Sequence, residues 1–356
     1  MKFIEQTHFF VLTGNNAATY VVNCKSWTSV GMSLRFYKAT SFKAKVLKRG
    51  LHGVLFVVGK LPFYNFKSDI QITEYLNALC KQEIPFNLDE SCSVLVSPTR
   101  NKMIVHHHKQ YFEKFAFGSS YQKVKNEAGI YALLKVPLKH FQISKFYDEK
   151  DLVGQYCSFK LSNTHLKELK PSKAPLNLVP LLLEFFKAVP KTVMQLDTYI
   201  NTLIHKIQGA GFTSVDSQIT YLNSLKKNYG ATKLPLGLTH RDFKHWNLLA
   251  LPKVLLFDFE ETTTKGLPME DLLNFYVDPI IKYTENKLIY NNLSAPDKQA
   301  EFKLYLNSLG INLEPQVLIN LYLIERFLFW KQAGEEDTSY RYFQLSNFVL
   351  TKTHTA

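Results

Sequence analysis

Residues 238–262 read LTHRDFKHWNLLALPKVLLFDFEET, and the rest of the chain is organised around them. Asp242 is followed two residues on by Lys244 and five residues on by Asn247. The pair Leu248-Leu249, a turn at Leu251-Pro252-Lys253 and the apolar run VLLFDF then lead to a second acidic centre, Asp258. The pattern predicts a strand, a polar loop and a hairpin whose second strand delivers Asp258. Two acidic centres and an asparagine are thus packed into one short strand-loop-strand. A single His-x-Asp would carry little; a polar hairpin holds such letters by accident. Five polar positions at fixed spacing followed by a strand-borne Asp258 carry far more.

His240, Arg241, Asp242, Lys244 and Asn247 fall on the pattern His-Arg-Asp-x-Lys-x-x-Asn, so the segment resembles the catalytic loop of the eukaryotic-like kinase superfamily. That resemblance implies an α+β, two-lobed protein-kinase-like fold and ATP- and Mg²⁺-dependent phosphoryl transfer to a hydroxyl. Asp242 would orient the attacking hydroxyl and accept its proton, with Asn247 and Asp258 on the metal and Lys244 beside the γ-phosphate. After Asp258 and Phe259 the chain has Glu260 where the protein kinases have glycine. This departure is similar to the aminoglycoside phosphotransferase and choline kinase branch. It also argues against a switchable segment, because Glu lacks the backbone freedom of Gly. Pro268-Met269-Glu270-Asp271-Leu272 fits a Pro-x-x-Asp-Leu segment of the same branch, which implies that Asp271 braces the loop backbone.

Composition narrows the class. At 356 residues the chain exceeds one ordinary core, so several lobes are expected. With 46% hydrophobic and 21% charged residues it is globular rather than disordered. Cys24, Cys80, Cys92 and Cys157 have no metal-binding or disulfide-framework spacing and are expected as reduced thiols. No apolar leader is evident, and the run Leu178–Phe186 is too short to span a bilayer, so a cytoplasmic protein is expected. The formal net charge of +13 favours anionic acceptors or an anionic membrane surface, and no nucleic-acid motif accompanies it.

In chain order, residues 1–88 are expected as an N-terminal α/β extension. It opens with strands around Gly14-Asn15-Asn16, continues through a basic amphipathic segment from Met32 to Lys48, and holds a helix from Ile72 to Gln82. The small lobe follows over 89–160. Its first hairpin turns at Ser97-Pro98-Thr99-Arg100-Asn101-Lys102 without a glycine, leaving Arg100 as a candidate phosphate donor. Lys114, on the third strand, would meet the nucleotide α- and β-phosphates, and Glu127, on the helix after Ser119-Ser120, would hold it in place. His106-His107-His108 can offer at most two rings on one face and are expected as strand residues. Strands at HFQISKFYD and LVGQYCSFK complete the sheet, and the hinge is expected at 159–164. The large lobe, 161–356, is expected to be helical, with Ser214 or Asp216 capping the helix before the catalytic loop and a core helix over Pro315–Gln332. Three functions follow from the resemblance: a kinase of a small-molecule, saccharide or lipid-linked acceptor, a protein Ser/Thr kinase, or a pseudokinase acting as a binding module. The missing glycine after Phe259 speaks against the second, and the full set of base and metal residues against the third.

Overall fold

The computed structural model describes residues 9–13, 18–34, 42–58, 66–81, 83, 92–108, 110–134, 138–152, 156–162, 167–168, 177–212, 215–250 and 253–353. Gly14-Asn15-Asn16, the basic residues 35–41, the expected boundary at Asp89, residues 163–164 of the expected hinge, Ser214 and Leu251-Pro252 lie outside them. The chain forms a sheet-rich unit, 1–132 with 144–165, and a helix-rich unit, 133–143 with 166–356.

The first unit runs β1 (Phe9–Thr13), β2 (Thr19–Asn23), α1 (Trp27–Ser33), α2 (Phe42–Val58), β3 (Phe66–Lys67) and α3 (Asp69–Cys80). It continues with β4 (Cys92–Ser97), β5 (Lys102–His107), β6 (Tyr111–Phe117) and α4 (Tyr121–Leu133). After β7 (Phe141–Ile143), which pairs elsewhere, it closes with β8 (Phe146–Leu152) and β9 (Tyr156–Ser162). One eight-stranded antiparallel sheet holds them in the order β3-β1-β2-β4-β5-β6-β9-β8. The strands of the expected N-terminal extension thus share one sheet with those of the expected small lobe. β2 pairs with β4 along Thr19–Val96 to Val21–Val94. Phe9, Val21, Ile72 and Leu76 share one core with Val94, Val96, Met103 and Phe115. The polar stretch before Cys92 resembles a domain linker, but an antiparallel sheet accepts strands from either side of a long connection. α3 starts where a capping box puts it: the Ser68 hydroxyl accepts from Gln71 N at 3.3 Å, and the Gln71 side chain accepts from Ser68 N at 3.1 Å. Within the basic segment α1 ends at Ser33 and α2 begins at Phe42.

The second unit adds β10 (Lys167–Glu168), α5 (Leu178–Phe186), β11 (Thr192–Gln195), α6 (Leu196–Gly209) and α7 (Asp216–Tyr229). β12 (Lys233–Thr239), β13 (Leu248–Ala250), β14 (Val254–Leu256) and β15 (Thr263–Gly266) follow, then α8 (Glu270–Val277) and α9 (Asn286–Leu293). The chain ends in α10 (Pro296–Ser308), α11 (Pro315–Gln332) and α12 (Glu336–Thr353). α11 is apolar around most of its circumference and buries Leu318, Leu321, Leu323 and Ile324 completely or nearly so. Small sheets frame the polar loop: β13 pairs with β14 in register Leu248–Leu256, and β12 pairs with β11 and β15. HFQISKFYD is not one strand of the first sheet. Its beginning, β7, runs parallel to β14 in this unit, while β8 pairs with β9. A sheet-rich unit and a helix-rich one make up the mixed architecture that the resemblance implied.

Candidate active site

The loop between β12 and β13 is held by side chains from α8 and α11. Asp271, in the first turn of α8, accepts from the backbone N of His240 at 2.7 Å and of Arg241 at 2.9 Å, one on each carboxylate oxygen. This is the bracing role expected for it. Burial, and next the negative charge of Glu270, push the Asp271 carboxyl up to about 7, against the lowering effect of the two N–H donors. Arg241 has φ 63°, a left-handed conformation that a long side chain seldom adopts. It persists because the residue is held at three points. Its N–H meets Asp271, its carbonyl accepts from Arg326 Nη1 at 3.1 Å, and its Nε donates to Glu270 at 2.8 Å.

His240 joins the two acidic centres. Its Nδ1 accepts from Asp242 N at 3.3 Å, so Nε2 carries the proton and donates to the Phe257 carbonyl at 2.9 Å. Burial lowers its pKa, which keeps the ring in this neutral form. The bond to Phe257 fixes the strand end that delivers Asp258, itself at φ 69°. Aspartate tolerates that region better than most residues, so the turn is made at Asp258, two positions before Glu260.

Asp242, Lys244 and Asn247 converge. Asp242 receives Lys244 Nζ at 2.5 Å on Oδ1 and Asn247 Nδ2 at 2.8 Å on Oδ2. The same Nδ2 also donates to the Asp242 carbonyl at 2.8 Å. With its amide nitrogen so engaged, Asn247 has its Oδ1 to offer a cation. Carboxylate oxygens of Asp258 and Glu260 come within 4.8 Å of one another. These are hard oxygen donors, and they suit Mg²⁺.

Beneath the loop lies a cluster that sequence reading did not find. Asp278, at the end of α8, meets Lys244 Nζ at 3.3 Å and Arg326 Nη2 at 2.9 Å, and accepts from the Tyr342 hydroxyl. Arg326 is wholly buried, and its guanidinium packs over Phe329 and Trp330. Burial opposes its charge, but Asp278, together with Tyr342, Tyr322 and Glu270, more than offsets that and holds its pKa above the ordinary value. The available signal was the spacing Asp271–Asp278, seven residues apart on one helical face.

In the sheet-rich unit Lys114 Nζ, on β6, pairs with Glu127 Oε2, on α4, at 2.6 Å, and the glutamate is buried. Arg100 is exposed at the tip of the β4–β5 hairpin, where its carbonyl accepts from the Ser120 hydroxyl. The tip is tied down again by Asn101, whose Nδ2 donates to the Ser119 hydroxyl at 3.0 Å. His106 and His107 are strand residues and His108 follows the strand end: His107 Nδ1 lies 3.2 Å from Cys92 Sγ, His108 Nε2 lies 3.0 Å from Ser93 Oγ, and His106 stacks on Phe112. None of the four cysteines is in a disulfide.

No family model matches the chain. Solved structures of similar architecture are aminoglycoside phosphotransferases and a choline kinase. The choline kinase, from Cryptosporidium parvum, is 13% identical over 80% of this chain and 96% of its own, with a TM-score of 0.49. Aminoglycoside phosphotransferase APH(4)-Ia, in a ternary complex with ADP and hygromycin B, is 10% identical over 79% and 98%, at 0.46. Aminoglycoside 2'-phosphotransferase-IIIa, bound to GDP, is 12% identical over 71% and 90%, at 0.45. Among curated proteins, lipoate–protein ligase A of Blochmanniella pennsylvanica is 34% identical over 64 residues, 18% of this chain, which spans about a fifth (19%) of that protein's length. At these identities and overlaps none of the likenesses assigns an activity to the chain. The chemistry rests on its own residues.

Proposed function

We propose that the chain is an ATP- and Mg²⁺-dependent phosphotransferase acting on a hydroxyl group of a small molecule, a saccharide or a lipid-linked acceptor. The observation that carries this is the Asp242 carboxylate, fixed between the Lys244 ammonium and the Asn247 amide on a loop whose backbone is clamped by Asp271. Such a carboxylate orients an acceptor hydroxyl and takes its proton. Asn247 and Asp258 are the residues to hold Mg²⁺, which when bound neutralises phosphate oxygens. Lys244 is a charge for the transferred phosphoryl group. Lys114, oriented by Glu127, and Arg100 are the nucleotide-phosphate donors of the sheet-rich unit.

A polycationic acceptor such as an aminoglycoside calls for an acidic rim. Glu270 and Asp271 do not supply one, since both are buried and committed to Arg241 and the loop backbone. The net charge of +13 favours an anionic acceptor instead.

The test is a screen of saccharide, phospholipid and small alcohol acceptors with ATP and Mg²⁺. Turnover should fall about 10²–10⁴-fold in Asp242→Asn with nucleotide affinity nearly unchanged, because a general base is removed and not a nucleotide contact. An affinity loss as large as the turnover loss would reassign Asp242 to binding. Asp258→Ala should abolish the magnesium dependence of nucleotide binding, and indifference to both metal and substitution would sink the metal assignment.

A further inference from the structure

Helix α2 turns an apolar face outward. Val46, Leu47, Gly50, Val54 and Val57 share one side of the helix by their spacing. Val46 is 53% exposed, Leu47 63%, Val54 57% and Val57 60%, and no charged residue interrupts them. The opposite side is firmly seated, with Leu55 buried in a cluster with Val22, Cys24, Val30 and Leu34. At one margin stand exposed Lys45 and Arg49 together with Trp27, itself half exposed, stacked on His52 at 3.8 Å and edge-on to Phe56 at 5.4 Å. The sequence around the helix is one-signed: between Gln6 and Ser68 there are nine Lys and Arg and not one Asp or Glu.

We propose that this face docks on an anionic lipid bilayer. Aliphatic side chains on a rigid helix gain by entering the headgroup–acyl boundary, while Lys45 and Arg49 meet lipid phosphates and an indole settles at the interface. Each cation near such a surface adds to the attraction. A second copy of the chain would bring the same cations against themselves, and nucleic acid offers nothing to the valines. The inference does not depend on the phosphotransferase reading, although it would place such an enzyme beside lipid-linked acceptors.

The experiment is co-sedimentation of the full chain with vesicles of phosphatidylcholine alone or mixed with phosphatidylglycerol, at low and high salt. The chain should pellet with the mixed vesicles at low salt and stay in solution with phosphatidylcholine. Val54→Glu with Val57→Glu, and separately Lys45→Glu with Arg49→Glu, should each weaken binding about tenfold or more. The milder pair Val54→Ser with Val57→Ser, whose melting should match the parent, should weaken it in the same direction. Recovery of the unaltered chain in the supernatant with mixed vesicles, or equal binding by all variants, overturns the proposal. So does a dimer, seen by analytical ultracentrifugation, that the valine substitutions dissociate while vesicle binding is absent; the face would then belong to a second copy. Because the readout is binding, a negative result leaves the phosphotransferase reading untouched.

Discussion

Asp278→Ala tests whether the ionic cluster under the loop between β12 and β13 acts as one unit. Arg326 is fully buried and has two hydrogen-bond acceptors, Asp278 at 2.9 Å and the Arg241 carbonyl at 3.1 Å. Alanine at 278 leaves its charge facing one carbonyl and the rings of Phe329 and Trp330. Stranding a buried charge costs about 3–5 kcal/mol, a large share of the ~5–15 kcal/mol that stabilises an ordinary domain. The reverse change, Arg326→Met, strands no charge, although the Arg241 carbonyl loses its donor. Asp278 keeps Lys244 at 3.3 Å and the hydroxyls of Tyr322 and Tyr342. Its cost should be lower by about 2 kcal/mol, the difference between an unpaired and a still-paired charge. The double variant strands neither group and should be more stable than Asp278→Ala alone by about 1–3 kcal/mol. Urea unfolding of the four proteins, followed by tryptophan fluorescence, measures the cycle. Equal losses in the two single variants with an additive double variant would refute the reasoning.

The Asp271 carboxyl has a folded-state pKa near 7, above its unfolded value of about 3.9. Between those values the folded state holds a proton that the unfolded state lacks, so this group's contribution is full below the unfolded pKa and is lost as pH rises through about 7. Melting temperature should therefore fall from pH 5 to pH 8, and Asp271→Asn, whose amide does not titrate, should flatten that fall while lowering stability throughout by presenting a donor to a backbone N–H. An unchanged slope in the variant would remove Asp271 from the account. Gly266→Ala should destabilise by about 1–3 kcal/mol, since a Cβ there would sit inside the Thr239 side chain, which donates to Glu270 at 3.1 Å. A melting temperature equal to that of the parent would show that the β12–β15 contact yields.

The loop itself was legible because its chemistry is written in consecutive residues. Asp242, Lys244 and Asn247 meet within five positions, and the His240–Phe257 bond spans one hairpin. The Lys114–Glu127 pair was legible for a related reason, since a strand and the next helix are neighbours in space more often than not. Arg326 and Asp278 were not. They lie 48 residues apart in elements whose packing has no local signature, and Arg326 sits in an apolar run that marks only a core helix. The full strand order was not legible for the same reason: which strand pairs with β4 depends on side-chain complementarity across a connection of uninformative composition.

The eight-stranded sheet has well-guarded edges. β3 contributes two residues at one side, and β8, at the other, carries exposed Asp148, Glu149, Lys150 and Asp151. Among the described residues neither rim offers a stranger the long, uncharged row of open amides that seeds intermolecular pairing. The interior of the sheet has no such protection. A chain shortened to begin at residue 89, the place where composition suggests a cut, would strip β2 from β4 and turn the segment CSVLVS into a rim. That segment is rich in β-branched residues and without charge, so the trimmed protein would be prone to self-association through the strand its own N-terminus now covers.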